Sequence, residues 1–168
     1  MRSGDEAAFE DYVASTQRRW VNTAYRLCND SEQAQDLVAH AWEKLYLKWP
    51  QVHAKGDPHG YMAKMLHNAF IDILRSSRFK RELTSGDLPE TPVADSFVDE
   101  LAARAGLKGA WELLTGHEKV VVNLRVFEGY TLMEIADLLS LSHSTVKRRW
   151  ESGCVKLRAF YRSHEGSA

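Results

Sequence analysis

A short stretch near the carboxyl end of the chain concentrates side chains that bind duplex nucleic acid. Lys147 and Arg148 are donors for the N7 and O6 acceptors of guanine, and Glu151 is an acceptor for the amino group of cytosine. Just before them, Ser144 and Thr145 carry hydroxyls that bond phosphates, helped by the partial positive charge of a helix start. These residue types on one helix predict recognition of base edges in a major groove.

The elements around these residues follow a helix-turn-helix pattern. Thr131 with Glu134 forms a capping box that opens a short helix, and Ser140–Ser142 is a tight turn whose last serine caps a longer helix. An apolar set would pack the two helices together: Ile135, Ala136, Leu139, Leu141, Val146 and Trp150. The alternative is a small helical bundle with a solvated basic face.

A second basic segment ends the helix that Asp57 and Pro58 are expected to start. Its polar face carries His67, Asn68, Asp72 and Arg75, and Phe79 follows among Arg78, Lys80 and Arg81. Aromatic rings beside cations suit unstacked nucleotides, because the base stacks on the ring and the cation binds the phosphate. Tyr61 is placed to serve likewise. The alternative puts Tyr61 in the core and the bases at a helix carboxyl end, which favours cations.

The second predicted helix is acidic and rich in aromatic residues. Its polar side chains are Glu32, Gln35, Asp36, His40, Glu43 and Lys44, and its rings are Trp42, Tyr46 and Trp49. A negative surface repels DNA phosphates. We therefore expect this helix to be either core plus solvent or a protein-docking face.

Enzyme chemistry has little support in the sequence. Asp36 and His40 are four residues apart on one helical face, but no third metal ligand lies near them. The chain has no glycine-rich phosphate loop. Cys28 and Cys154 lie far apart without a CxxC spacing, which excludes a disulfide framework and a zinc finger, and such cysteines are more often small buried hydrophobes than nucleophiles. We expect no catalytic residue, no metal site and no cofactor.

The charge of the chain is unevenly distributed. The 168 residues carry 22 Lys and Arg against 23 Asp and Glu, a net charge of −1. Leu141–Glu165 has an excess of 4 positive charges and Lys64–Glu82 an excess of 3, whereas Gly86–Glu100 holds 5 acids and no base. This distribution indicates two basic surfaces for nucleic acid, separated by an acidic segment that avoids it.

Helical periodicity runs through nearly the whole chain, so the predicted fold class is all-α. The segment 84–96 lacks this periodicity and holds Pro, Gly, Thr and Asp, which is typical of a flexible linker. We predict two small helical domains, a helical bundle over 1–83 and a helix-turn-helix domain over 97–168, joined by that linker.

Local signals predict several helix ends and the compartment. Ser3 with Glu6 should form a capping box at the first helix, and Thr115 with Glu118 should form another that opens a later helix. Pro50 should end the second helix, and a helix is expected over Phe97–Leu107. No apolar run approaches the roughly 18 residues that span a bilayer. The first twenty residues carry no secretory signal, so we expect a cytoplasmic protein without membrane insertion.

Three motifs together resemble one known family. The runs TLMEIADLL (131–139) and SHSTVKRR (142–149) resemble the promoter-binding helix-turn-helix of the extracytoplasmic-function sigma factors. AQDLV (34–38) is similar to that family's core-polymerase-binding helix, and GYMAKMLHNAFIDILR (60–75) to its promoter-melting helix. The motifs occur in the family's order, and the resemblance extends from Phe9 to Phe160.

The resemblance implies an alternative sigma factor of the sigma-70 superfamily, with no catalysis or cofactor of its own. Such a protein would bind bacterial core RNA polymerase at the clamp coiled coil and the flap, and would be a monomer when free. Its domains would take the single-stranded −10 and duplex −35 elements of promoter DNA. Many relatives are held by an anti-sigma factor, which is a further implied partner.

The resemblance also assigns the contacts residue by residue. Polymerase contacts fall on Gln35, Asp36, Leu37, Glu43 and Lys44. The −10 contacts fall on Tyr61, Asn68, Asp72, Arg75 and Arg78, with Asn68 and the loop before Tyr61 holding a flipped base. The −35 contacts fall on Ser144, Thr145, Lys147, Arg148, Arg149 and Glu151.

An autonomous helix-turn-helix regulator is the main alternative. In that case the first domain would sense a signal or dimerise, and the dimer would bind a palindrome without polymerase. The predicted linker discriminates between the two functions. A flexible tether suits a single chain that reaches two separated DNA elements better than it suits a symmetric dimer.

Overall fold

The computed structural model describes residues 2–83 and 107–165, and all the regular elements in these ranges are helices. The chain divides into two compact units, Met1–Thr91 and Pro92–Ala168. The predicted all-α fold with two helical domains is therefore confirmed. The predicted linker and the first ten residues of the helix expected over Phe97–Leu107 lie outside the described residues.

The first unit is a bundle of three long helices. They are α1 (Ser3–Cys28), α2 (Ser31–Lys55) and α3 (Pro58–Leu83), and each contacts the other two. Short connections make consecutive helices pack side by side. Their apolar stripes meet in a core whose largest fully buried side chains are Trp20, Leu45, Trp49, Met62 and Leu66.

The turns of the bundle follow the predicted cap chemistry. The Asp30 carboxylate accepts from the backbone N–H of Gln33 at 2.9 Å and caps α2, and Asp57 accepts from that of Gly60 at 2.9 Å to start α3. Gly56 ends α2 in the left-handed region with φ of 75°. The chain therefore reverses direction sharply at both bundle connections.

Two predicted helix boundaries in the first unit are wrong. The expected Ser3–Glu6 capping box is absent, because α1 begins at Ser3 itself, with Arg2 at the cap and no side-chain hydrogen bond there. The second helix does not end at Pro50 but runs on to Lys55. The buried side chains of Trp49 and Val52 lie on either side of Pro50, and their packing outweighs the roughly 3 kcal/mol that an interior proline costs.

The second unit is built from short helices and one long one. They are α4 (Leu107–Glu112), α5 (Gly116–Val122), a π-helical turn (Asn123–Phe127), α6 (Leu132–Leu139) and α7 (His143–Glu165). Helix α7 contacts α4, α5 and α6 and so forms the spine of the unit. The core contains Leu114, Val120, Val121, Leu124, Ile135 and Val146.

The starts of α5, α6 and α7 were predicted correctly, but the π-helical turn was not. Thr115 with Glu118, and Thr131 with Glu134, form complete capping boxes at α5 and α6. The π-helical turn inserts a wider ring directly after α5, a feature that helical periodicity does not reveal. Within the ranges 2–83 and 107–165, none of the helices is long and apolar enough to cross a membrane.

Candidate nucleic-acid interface

A closed turn connects the two helices of the helix-turn-helix. Helix α6 ends at Ser140, which adopts the left-handed conformation with φ of 54°. The N–H of the next residue, Leu141, returns to the carbonyl of Ala136 at 2.9 Å. These bonds satisfy the last carbonyls of α6 and fix the angle at which the chain enters α7.

The first turn of α7 gathers three hydroxyl groups. Ser142 Oγ accepts from the backbone N–H of Thr145 at 3.2 Å, which confirms Ser142 as the cap. The same oxygen lies 2.8 Å from Thr145 Oγ1 and 3.2 Å from Ser144 Oγ. All three hydroxyls therefore lie beside the positive end of the helix, where a phosphate oxygen would be stabilised.

The predicted base-reading residues share the exposed face of α7. Ser144, Lys147, Arg148 and Glu151 are all exposed, and their spacing of three, four and seven residues places them on one side of a helix. Thr145 and Arg149 are half-buried at the edge of this face. We call these six residues the reading face.

The opposite side of α7 holds the helix against its neighbours. Val146 is fully buried, and it packs in the same core as Ile135, Ala136 and Leu139 of α6. Trp150 is half-buried. The predicted apolar set therefore forms the joint of the helix-turn-helix and leaves the polar face of α7 free for a ligand.

A carboxylate in α5 also holds α7, a second function that no local sequence pattern indicates. Glu118 Oε1 accepts from Lys156 Nζ of α7 at 2.6 Å, although the two residues are 38 positions apart. Burial raises the pKa of Glu118, but donors from Lys156, Ser152 and Thr115 outweigh this effect and lower the pKa to about 2. The sequence signal was the Thr115–Glu118 capping box, which gives no hint of Lys156.

The predicted −10 residues lie along α3. Tyr61 and Asn68 are half-buried, whereas Asp72 and Arg75 are exposed and form an ion pair at 3.9 Å. Their spacings of seven, four and three residues keep these four on one side of the helix. The side chain of Arg78 lies outside the described residues.

One residue expected on the polar face of α3 is in the core instead. His67 is fully buried, and its Nδ1 lies 2.7 Å from the carbonyl oxygen of Ala63. A carbonyl only accepts, so Nδ1 carries the proton of the ring in this arrangement. The local hydrogen bond within α3 satisfies the imidazole, which explains why a polar ring is tolerated there.

The predicted polymerase contacts lie on α2, with one exception. Gln35, Asp36, Glu43 and Lys44 are exposed, but Leu37 is buried in the bundle core and offers no outer surface. A groove of about 400 Å³ lies beside them between α2 and α3; it is lined by Gln33, Asp36, Leu37, His40, Ala69, Asp72 and Ile73.

The aromatic rings of α2 join it to α1. The Phe9 ring packs edge-on against Trp42, Tyr46 and Trp49, with centroid distances of 6.2, 5.2 and 5.3 Å. Trp49 is buried, Trp42 is half-buried and Tyr46 is exposed. The rings therefore serve mainly as core, and the polar residues form the outer surface of α2.

Comparison with known proteins identifies both units. Residues 4–80 match the family described as Sigma-70 region 2, and residues 112–159 match Sigma-70, region 4. The RNA polymerase sigma-E factor of Streptomyces coelicolor is 30% identical over 155 residues, which is 92% of this chain and 86% of the relative. The ECF RNA polymerase sigma factor SigL of Mycobacterium tuberculosis is 30% identical over 142 residues, which is 80% of this chain and 78% of the relative. The chain belongs to the extracytoplasmic-function sigma factors.

A solved structure shares the fold of this sigma factor. It is the sigma factor RpoE in complex with the anti-sigma factor NepR from Bartonella quintana, with a TM-score of 0.73 and 17% identity. The match covers 92% of this chain and 97% of that one. At this identity the likeness shows the fold alone.

Family membership decides between the functions that the sequence left open. Sigma factors are transcription initiation factors and not enzymes, which rules out a metal enzyme built on Asp36 and His40. In the part of the chain that the structure describes, no group of three or more His, Cys, Asp or Glu could hold a metal ion. Region 2 of this sigma factor covers most of α1–α3, and region 4 runs from the end of α4 through α5, the π-helical turn and α6 to most of α7.

Proposed function

We propose that this chain is an alternative sigma factor that binds core RNA polymerase and directs it to promoters with its own −10 and −35 elements. The reading face of α7 carries this proposal. Its exposed Lys147, Arg148 and Glu151 lie on one side of a helix whose opposite side is fixed to α6. In this geometry two cations and an acceptor meet base edges of the −35 duplex, while Ser144 and Thr145 bind its phosphates.

The same proposal gives α3 to the −10 element. Tyr61 offers a half-buried ring, and Asn68 offers an amide that hydrogen-bonds a base flipped from the strand. Arg75 is 71% exposed and only weakly engaged by Asp72 at 3.9 Å, so its charge remains available for a strand phosphate. The melted strand would therefore follow α3 from Tyr61 toward its basic end.

Core polymerase is proposed to bind the outer surface of α2. Gln35, Asp36, Glu43 and Lys44 are exposed there, and the mixed charge suits a protein partner better than a polyanion. Leu37 contributes by packing in the core and holding α2 in place. The flap of polymerase and an anti-sigma factor are proposed as further partners, and the cytoplasm, where polymerase works, as the place of action.

Mixing the protein with purified core RNA polymerase on a sizing column tests this function. We expect comigration at one to one, and the complex should then select promoters from a random DNA library. Asp36→Ala should weaken comigration, whereas Asp11→Ala, an exposed carboxylate of α1, should not. Separate elution of the wild-type protein, with a dimer that binds DNA alone, would instead establish the autonomous regulator.

A further inference from the structure

Glu118 is a buried carboxylate held by groups from two helices. Its side chain is only 5% exposed, and Oε1 accepts from the backbone N–H of Thr115 at 2.8 Å and from Lys156 Nζ at 2.6 Å. The start of α5 and the middle of α7 are therefore tied to one functional group.

Two contacts on α7 lie within one helical turn of each other. Gly153 packs against Val122 and Glu118 of α5, and Lys156, three residues later, bonds the Glu118 carboxylate. A single contact would let α7 rotate about it, but a packing contact and an ion pair together define both the rotation and the axial position of α7 relative to Glu118. The ion pair is charge-assisted and directional, which makes it suited to this role.

The backbones of α5 and α7 approach closely at the same place. Gly153 is buried, and a Cβ there would lie 3.1 Å from Val122 Cγ2 and 3.9 Å from Glu118 Cβ. The glycine lets α7 come near enough for Lys156 to reach the carboxylate. The crossing is thus both tightly packed and ionically bonded, and it begins only two residues beyond Glu151, the last residue of the reading face.

Lys156 also differs from the other bases of α7 in what its charge does. Lys147 and Arg148 are exposed, whereas Lys156 is half-buried and paired with Glu118. Its charge is therefore neutralised within the protein and is not available to a DNA phosphate. Lys156 therefore acts on the position of α7 and not on DNA.

We propose that Glu118 and Lys156 are positioning residues that fix the rotation of α7 and thereby the discrimination of the −35 sequence. The proposal rests on the proposed function, since it needs a chain that reads a −35 element. A rotated α7 would keep its phosphate contacts, because these tolerate small shifts, but would misalign the base contacts, which require exact geometry. Loss of the pair should therefore reduce specificity more than total DNA binding.

Holoenzymes reconstituted with wild-type protein, Glu118→Gln or Lys156→Met provide the test. Each is measured on the promoter selected by the wild type and on the same promoter with a scrambled −35 element. We expect the ratio of the two affinities to fall about tenfold in both variants, the effect of losing one bidentate base contact. Lys156→Arg, which keeps the charge, should restore most of the ratio.

Val121→Ala is the matched control, because it removes buried methyl groups from α5 without touching α7's ionic bonds. All variants are assayed below their unfolding temperature, and Val121→Ala should keep the wild-type ratio. An unchanged ratio in Glu118→Gln and Lys156→Met, or an equal fall in Val121→Ala, would overturn the proposal, as would variants that do not fold. If the wild-type holoenzyme itself shows no −35 preference, the proposed function fails instead.

Discussion

Arg148 is the residue of the reading face with the clearest expected effect. Its guanidinium is exposed on α7 and can bond both acceptors of a guanine, a contact worth about 1–3 kcal/mol. Arg148→Ala should weaken holoenzyme binding to the selected promoter about tenfold and leave binding to core polymerase unchanged. Arg162→Ala, an equal loss of charge on an exposed later turn of α7, is the control. An unchanged footprint over the −35 element in Arg148→Ala would remove this residue from the site.

Asn68 tests the assignment of α3 to the melted strand. Asn68→Ala should lower the reactivity of unpaired thymines in the −10 element several-fold, because the flipped base loses its hydrogen-bond partner. Holoenzyme formation and −35 protection should stay at the wild-type level. Asn22→Ala in α1 matches it in residue type and in partial burial. Equal melting defects in the two variants would mean that Asn68 acts only through the stability of the bundle.

Single residues also show where sequence reasoning reached its limit. The exposed face of α7 followed from spacing alone, since Ser144, Lys147 and Arg148 need only the helical period to align. The burial of His67 did not follow from spacing. Its ring bonds the carbonyl of Ala63, four residues earlier, and a polar side chain anywhere on a helix can make such a local bond, so the bond gives no sequence signal. The Glu118–Lys156 pair joins positions 38 residues apart, and no local pattern encodes such a contact.

Helix α5 and its buried carboxylate make the stability of the second unit sensitive to acid. The pKa of Glu118 is about 2 in the folded protein, against an ordinary value of 4.5 for a glutamate carboxyl. Since the folded pKa is the lower one, the stability that this carboxylate contributes is fully present above pH 4.5 and is lost as the pH falls toward 2. Glu118→Gln should unfold more easily at pH 7 and lose less stability than the wild type between pH 4.5 and 2. Denaturant titrations at several pH values measure the free energy of unfolding of both proteins. Parallel pH profiles of the wild type and Glu118→Gln would contradict this prediction.

Helix α2 continues through Pro50 at a cost in stability. Proline has no backbone N–H, so the carbonyl of Tyr46 lacks its usual helical donor. Pro50 is also exposed, so its ring gains no packing that would offset this loss. Pro50→Ala should therefore stabilise the first unit by about 1–3 kcal/mol, seen as a higher midpoint in thermal unfolding. Gln51→Ala, at the next exposed position, should change the midpoint little. A lower midpoint in Pro50→Ala would show that the proline is required for the course of α2.

The elements themselves were largely predictable, and the exceptions have local physical causes. Capping boxes at Thr115 and Thr131 fixed two helix starts, since a side chain and a backbone N–H only three residues away decide them. Pro50 was misjudged because tertiary packing of Trp49 and Val52 overrode a local rule. The π-helical turn after α5 arises from packing in the second unit and leaves no periodic signal.

On the scale of the whole molecule, the division of charge explains why a sigma factor needs its polymerase. The basic segment of α7 is proposed to contact DNA, yet the net charge of the chain is only −1, so long-range attraction to a polyanion is weak. Under the proposed function, specific binding comes from two promoter elements engaged at once, which requires a scaffold. We expect polymerase to provide that scaffold, so no symmetric dimer is needed.

The free protein is therefore expected to be a monomer that binds promoter DNA poorly. Sedimentation should give the mass of one 19.1 kDa chain, and binding to the selected promoter should be at least a hundredfold weaker than that of the holoenzyme at physiological salt. Few phosphate contacts should be made without polymerase, so the affinity should fall with salt along a shallow slope. A stable dimer with nanomolar affinity for a palindrome would contradict both the monomeric state and the weak DNA binding. Such a dimer would gain its avidity from two symmetric reading helices and would not need polymerase as a scaffold.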